Sequence, residues 1–326
     1  MSTNYSRKDK GLVGYFFFGT PFLVLTDIDM AKQVFIKDFD HFTDRRKIEV
    51  GHEYLDNMLF VLAGERWKHM RSVVSPVFTS GKLKAMSKLI NRVGADMVRY
   101  VENLAKDCQE VEGRDLAGRF TTQSIATSGF GIDSSAFDDK KSEKILKMAR
   151  QFSGADISPS RILKGLVVLT LPRIAKALKI ESFDRESLEF FADIVRQTVA
   201  SREGQEGKRN DMVDLLTEAL RGEADVDPEA ELEVAKPAKV SALKPDEVVT
   251  ALISNLMLLL FAGMETTSTV LAACMYCLAK DSRVQGLLFQ EICQALEDDG
   301  ELDYNGIQAR FCLLPPFHTI SIRDKV

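Results

Sequence analysis

The sequence predicts a mainly α protein with a small β-sheet at its N-terminal end. Three observations carry that expectation. The stretch from Asp246 to Asp281 is apolar on nearly all sides and would run about 50 Å as one helix. Apolar residues recur at three- and four-residue spacing in most other segments. Strand-like runs are confined to Leu12–Thr26, with no internal repeat and no alternation of strands and helices that would build a parallel sheet.

Composition narrows the class. The 326 residues suffice for one large domain or two ordinary ones, and 45% apolar with 28% charged residues is globular composition. A formal net charge of −5 argues against general nucleic-acid binding. Five scattered cysteines are too few for a disulfide scaffold and point to a reducing compartment. The opening MSTNYSRKDKG has no apolar core of signal-peptide type. No other segment reads as a membrane anchor, so a soluble chain is expected. Asn255 and the run Glu265-Thr266-Thr267-Ser268-Thr269 interrupt the roughly 20 apolar residues that a span requires, which favours a helix buried in a sizeable core.

Taken in order, Leu12–Thr26 reads as two strands split by a turn at Gly19-Thr20-Pro21. Asp27–Lys37 has helical spacing and early acidic residues, as the helix dipole favours. His41–Leu62 reads as loop. A helix opens at Ala63-Gly64-Glu65-Arg66-Trp67 and should end before Pro76, and Leu83–Lys106 is a longer one. Helical segments are expected at Leu116–Phe130, Ser142–Phe152, Leu171–Leu178, Ser187–Arg202 and Met212–Arg221. Gly204–Arg209 is a polar break. Gly222–Lys244 is charged, poor in aromatics and holds Pro228 and Pro237, so it reads as a solvated loop. The central helix follows, then an amphipathic helix at Arg283–Glu297 closed by a turn at Asp298-Asp299-Gly300.

Two constellations carry chemistry. In the central helix, Ala262, Gly263 and Thr266 put small residues and a hydroxyl on one side, with Glu265 beside them. A helix-interior glycine costs about 1 kcal/mol relative to alanine, and clustered threonines back-bond and bend helices. Such choices suit a helix that lets something flat approach closely, with an alcohol and an acid to move protons. The competing reading is a kinked core helix with satisfied threonines. Trp67 and Arg71, four apart, share a face and offer two donors to an anion. Their bland reading is a half-buried tryptophan beside a solvated arginine.

Together these stretches resemble the cytochrome P-450 family of haem-thiolate monooxygenases, in its microsomal form. Trp67 and Arg71 are similar to its W-x-x-x-R, and Ala262–Thr267 to its A/G-G-x-D/E-T-T/S on the long central helix. Leu12–Thr26, Ser124–Phe137, Arg209–Met212 and Asp281–Asp299 extend the resemblance, which runs from about Gly11 to Gln308. It implies haem as cofactor, with Trp67 and Arg71 on a propionate and Ala262 and Gly263 over the ring. Thr266 and Glu265 would be the catalytic pair that delivers protons for O–O cleavage. It further implies an apolar small-molecule substrate, with the loop Gly51–Leu62 bordering its pocket. A reductase fed by NADPH would dock on basic residues such as Arg66, Lys68, Lys82, Lys84 and Lys88. The expected location is the cytosolic face of the endoplasmic reticulum membrane, or the cytosol if no anchor is present.

The resemblance has limits. The family's E-x-x-R and its F-x-x-G-x-R-x-C-x-G loop, whose cysteine ligates iron, find no match. Glu206–Arg209 and Glu218–Arg221 have the first spacing but precede the central helix, and Cys312 lacks the second context. Residues 1–308 are therefore expected to form a partial domain, short at both ends. The tail from Ala309 is read as unrelated and not folded. A chain of this kind would be inactive by itself; the alternative is a non-catalytic helical product acting as a binding partner or decoy. Cys274-Met275-Tyr276-Cys277 lies within an apolar helix, so its cysteines are read as small buried hydrophobes. Asp225–Glu233 has Ala230 where a calcium loop needs glycine. With only four histidines, a multi-histidine metal site is not expected.

Overall fold

The computed structural model describes residues 11–17, 20–45, 52–153, 158–170, 174–175, 178, 180, 184–202, 211–221, 245–299 and 304. The chain divides into two compact units: residues 1–71 with 158–182, and residues 72–157 with 183–326.

In the first unit, β1 (Leu12–Phe17) and β2 (Thr20–Leu25) form an antiparallel hairpin with Leu12 opposite Leu25 and Phe17 opposite Thr20. Thr20 and Pro21, expected in the turn, instead begin β2. A proline is tolerated there because this two-stranded sheet leaves an edge needing no N–H donor. Asp27 then caps α1 (Ile28–Lys32), its carboxylate accepting from the Met30 N–H at 2.8 Å. The helix loosens into a π turn at Gln33–Lys37. The loop expected at His41–Leu62 contains a short helix, α2 (Glu53–Asp56), capped by the His52 ring nitrogen. α3 (Gly64–Val74) begins in this unit and ends in the next, and α7 (Pro159–Thr170) belongs to the first unit as well. The sequence reading missed α7, whose β-branched LVVLT end lacks polar relief. Of the helix expected at Leu171–Leu178, Ile174 and Ala175 are helical.

The second unit is helical. Pro76 sits in a short 3-10 turn (Ser75–Phe78), where its missing N–H is no loss, and α4 (Ser80–Lys106) leads away from it. α5 (Gly113–Phe130) begins on Glu112, whose carboxylate accepts from the Arg114 and Asp115 N–H groups. It ends on Gly131 at φ +61°, a left-handed cap that a side chain would disfavour. α6 (Asp139–Ser153), α8 (Arg185–Arg202), α9 (Met212–Arg221), α10 (Pro245–Lys280) and α11 (Ser282–Asp299) follow. Asp298 and Asp299 extend α11 where a turn was expected; Gly300, like Gly204–Arg209, Gly222–Lys244 and the tail from Ala309, lies outside the described residues.

α10 is the axis of this unit, packed along α5 and touching α6, α8, α9 and α11. Its own Leu256 and Met257 are fully buried, with Phe130, Leu188, Phe191 and Leu216 from the helices around it. The Phe152 ring lies tilted against Phe191 (centroids 5.3 Å) and meets Phe261 edge-on at 5.4 Å. By length and composition Glu247–Lys280 could cross a bilayer. Yet all seven residues Ala251–Met257 are buried within the unit, and Asn255 satisfies its amide on the Ala251 carbonyl at 2.8 Å. That first half is a core helix. The second half departs from the expected all-round burial. Val270 and Tyr276 are 61% and 63% exposed, and both cysteines of the C-x-x-C lie at the surface as well.

Candidate functional site

α3 presents the first pair of expected site residues. Asp44 holds its first turn by accepting from the Gly64 N–H at 2.9 Å. Arg66 reaches back to the Asn57 side-chain oxygen at 2.7 Å, which ties α3 to the end of α2. Trp67 is half-buried, with its ring against Phe39 (centroids 5.9 Å), and Arg71 is exposed one turn later. The packing that fixes the indole thus leaves the guanidinium at the surface.

α10 presents the second group, and here the structure separates neighbours in sequence. Met264 and Ser268 are buried and line the side toward α5 and α6. Ala262, Thr266, Val270 and Ala273 lie on the opposite, exposed face. The Thr266 hydroxyl donates to the Ala262 carbonyl at 2.7 Å, so these two residues are joined. Glu265 turns away from that face. Its carboxylate accepts from Arg114 Nη2 at 2.8 Å, across 151 residues of chain. The pair is only partly shielded, so screening limits it to about 1 kcal/mol.

Gly263 has a neighbour of its own. A Cβ there would stand 3.0 Å from Ile125 Cδ1 of α5, so the close approach at this glycine is made by the side chain of another helix.

Glu265 opens into a charged cleft of about 280 Å³ between α5, α6 and α10, shared with Arg114, Asp115, Arg119 and Arg150. Asp115 receives Arg119 at 2.7 Å and also Arg150. Arg119 further bonds the Ala136 carbonyl and Asp139, and lies over the Tyr100 ring at 5.2 Å. Burial disfavours the Arg119 charge, but Asp115 more than offsets this and holds the guanidinium above its usual value. The charges in the cleft are mutually committed. Sequence spacing could not find Arg114 or Ile125 as partners, because both lie on a helix remote from α10 in the chain.

The exposed stripe of α10 fits a flat macrocycle: from Ala262 to Ala273 its residues Ala262, Thr266, Val270 and Ala273 carry nothing larger than valine. The described cysteines fit an iron-ligand loop less well. Cys274, Cys277 and Cys293 lie within helices, and Cys108 lies just beyond the end of α4. No group of three or more potential metal ligands occurs among the described residues.

The long core helix carries an alanine–threonine notch, and the N-terminal unit opens on a small hairpin. Residues 2–311 match the cytochrome P450 family, and the chain belongs to it. It is 31% identical to probable cytochrome P450 6w1 of Drosophila melanogaster over 307 residues, 92% of this chain and 56% of that protein. Cytochrome P450 6a2 of the same organism is 30% identical over 311 residues, covering 94% of this chain and 58% of the relative. Cytochrome P450 9e2 of Blattella germanica is 33% identical over 316 residues, covering 91% and 57%. The chain therefore spans little more than half the length of these relatives.

Proposed function

We propose that this chain supplies the oxygen-side half of a haem-dependent monooxygenase, which inserts one atom of dioxygen into an apolar small molecule. The observation that carries this reading is the joined Ala262–Thr266 stripe on the exposed side of α10, with an acid, Glu265, at the position before the threonine. Haem, when bound, activates dioxygen for insertion. The chain's own residues orient and protonate. Ala262, with the adjoining backbone at Gly263, leaves room for the ring. Thr266 Oγ1 relays a proton toward the oxygen side, and Glu265 supplies it from the cleft. In the present arrangement both groups are engaged elsewhere, Thr266 with a carbonyl and Glu265 with Arg114. Trp67 Nε1 and the Arg71 guanidinium bind a propionate as two donors.

Electrons come from a reductase of complementary charge, met by exposed basic residues such as Lys84 and Lys88 of α4. The sequence resemblance to the family's microsomal form supports the cytosolic face of the endoplasmic reticulum as the site of action. None of the five cysteines in these 326 residues stands in the family's ligand loop, so the chain alone is proposed not to form the thiolate-ligated centre.

Trp67 is the single tryptophan, which makes the reading directly testable. Haem added to the 326-residue chain should quench its emission saturably, and Arg71→Ala should weaken that quenching. The reduced, carbon-monoxide-treated sample should lack a thiolate-type Soret band. Quenching unaffected by Arg71→Ala would remove Arg71 from the clamp, and a thiolate-type band would overturn the statement that this chain holds no iron ligand.

A further inference from the structure

The C-x-x-C of α10 is the motif that the haem reading leaves unused. Both thiols are exposed, contrary to the burial expected for small apolar residues. The reason lies in which face α5 covers. It packs along the side of Met264 and Ser268, and a Cβ at Gly113 would touch Met275 at 4.0 Å, so Cys277 falls on the far side. Residues three apart on a helix are neighbours, with Cβ atoms about 5–6 Å apart. Rotation about χ1 then brings the two sulfurs within reach of one large soft atom. Nearby Ala273 is small and does not crowd them. The Lys280 ammonium is held over the Tyr276 ring at 5.3 Å. Zinc would ask for more ligands than two, and no third histidine, cysteine or carboxylate joins the pair among the described residues. Soft thiolates select soft partners.

We propose that Cys274 and Cys277 form a dithiol site for trivalent arsenicals. In the reaction with an arsine oxide, two As–S bonds form and two S–H bonds break. The arsenic-bound oxygen leaves as water with both thiol protons, and no electron is transferred. The site does not depend on haem or on the monooxygenase reading.

The test uses the reduced 326-residue chain, phenylarsine oxide, and a chromogenic disulfide reagent that counts free thiols. One equivalent of arsenical should protect two thiols, and alkylation followed by peptide mapping should place them at Cys274 and Cys277. A small dithiol should reverse the protection where a monothiol at equal concentration does not. Cys274→Ala and Cys277→Ala should each weaken binding by about 100-fold, since one arm loses the chelate advantage. Cys108→Ala, Cys293→Ala and Cys312→Ala should leave it unchanged. Circular dichroism confirms folding of each variant, with serine replacing alanine where a variant fails to fold. Failure of the parent chain to protect two thiols would overturn the proposal. So would protection mapped to another cysteine, or undiminished affinity in the Cys274→Ala, Cys277→Ala double variant.

Discussion

Gly263 shows how one residue's chemistry depends on its neighbour. A glycine inside a helix suggests a close approach, and the structure brings Ile125 of α5 to the position its side chain would take. Gly263→Ala sets a helix-propensity gain of about 1 kcal/mol against crowding of a flexible methyl terminus, so its net effect should be small. Gly263→Val adds a branch where Ile125 already sits, and should destabilise by about 1–3 kcal/mol. Urea unfolding should show a lower midpoint with an unchanged slope. The neighbouring pair Glu265 and Thr266 makes the same point differently. One residue of helix is a 100° turn, enough to send the acid into a charged cleft and the alcohol to an open face.

At the scale of elements, helix ends are where side chains determine the assembly. Arg202, at the end of α8, donates to Asp211 at 2.6 and 2.7 Å, to Asp214 at 2.7 Å and to the Phe130 carbonyl at 2.6 Å. One guanidinium thereby joins the end of α8, the start of α9 and the end of α5. Burial opposes its charge, but the two carboxylates more than offset this and raise its pKa. Asp211 is only 6% exposed and would be left without its partner, so Arg202→Met should cost about 3 kcal/mol. Thermal unfolding followed by circular dichroism would register that loss.

The loop after α5 has its own titrating element. Gln123 Nε2 and the Ser135 N–H donate to Asp133 at 2.7 and 2.8 Å, and these bonds hold its carboxyl below the usual value. A carboxylate depressed on folding contributes stability above its unfolded pKa of about 3.9, and that contribution is lost as pH falls through the lower folded value. Asp133→Asn should therefore be less stable than the parent at pH 7, with the difference shrinking as the pH falls below the unfolded value of about 3.9 and through the lower folded one. Urea midpoints across that range would show it.

For the whole molecule, the second unit is built on one helix used in two ways. The first half of α10 is surrounded by protein, and the second half offers a face of small residues and thiols. The two halves hold similar numbers of apolar residues, so counting them does not tell the covered half from the open one. This is also why a bilayer span passes on composition while Asn255 and its neighbours sit in a protein core. The helical class, the N-terminal hairpin and most helix positions were legible because apolar periodicity and turn residues are local signals. The start of α5 moved from Leu116 to Gly113, where Glu112 caps it, while its end at Phe130 before Gly131 stood as expected, and α7 was missed because its β-branched end hides the helical period.

The sequence by itself determined the family, because Trp67–Arg71 and Ala262–Thr267 are contiguous patterns read in chain order. It also determined that a hydroxyl and an acid stand side by side on the central helix. Only the tertiary structure decided where each of them points. Arg114 claims Glu265, Ile125 fills the space over Gly263, and α5 covers one face of α10 while leaving Thr266, Cys274 and Cys277 open. Those outcomes depend on contacts between residues more than a hundred positions apart, and no local pattern in the chain encodes them.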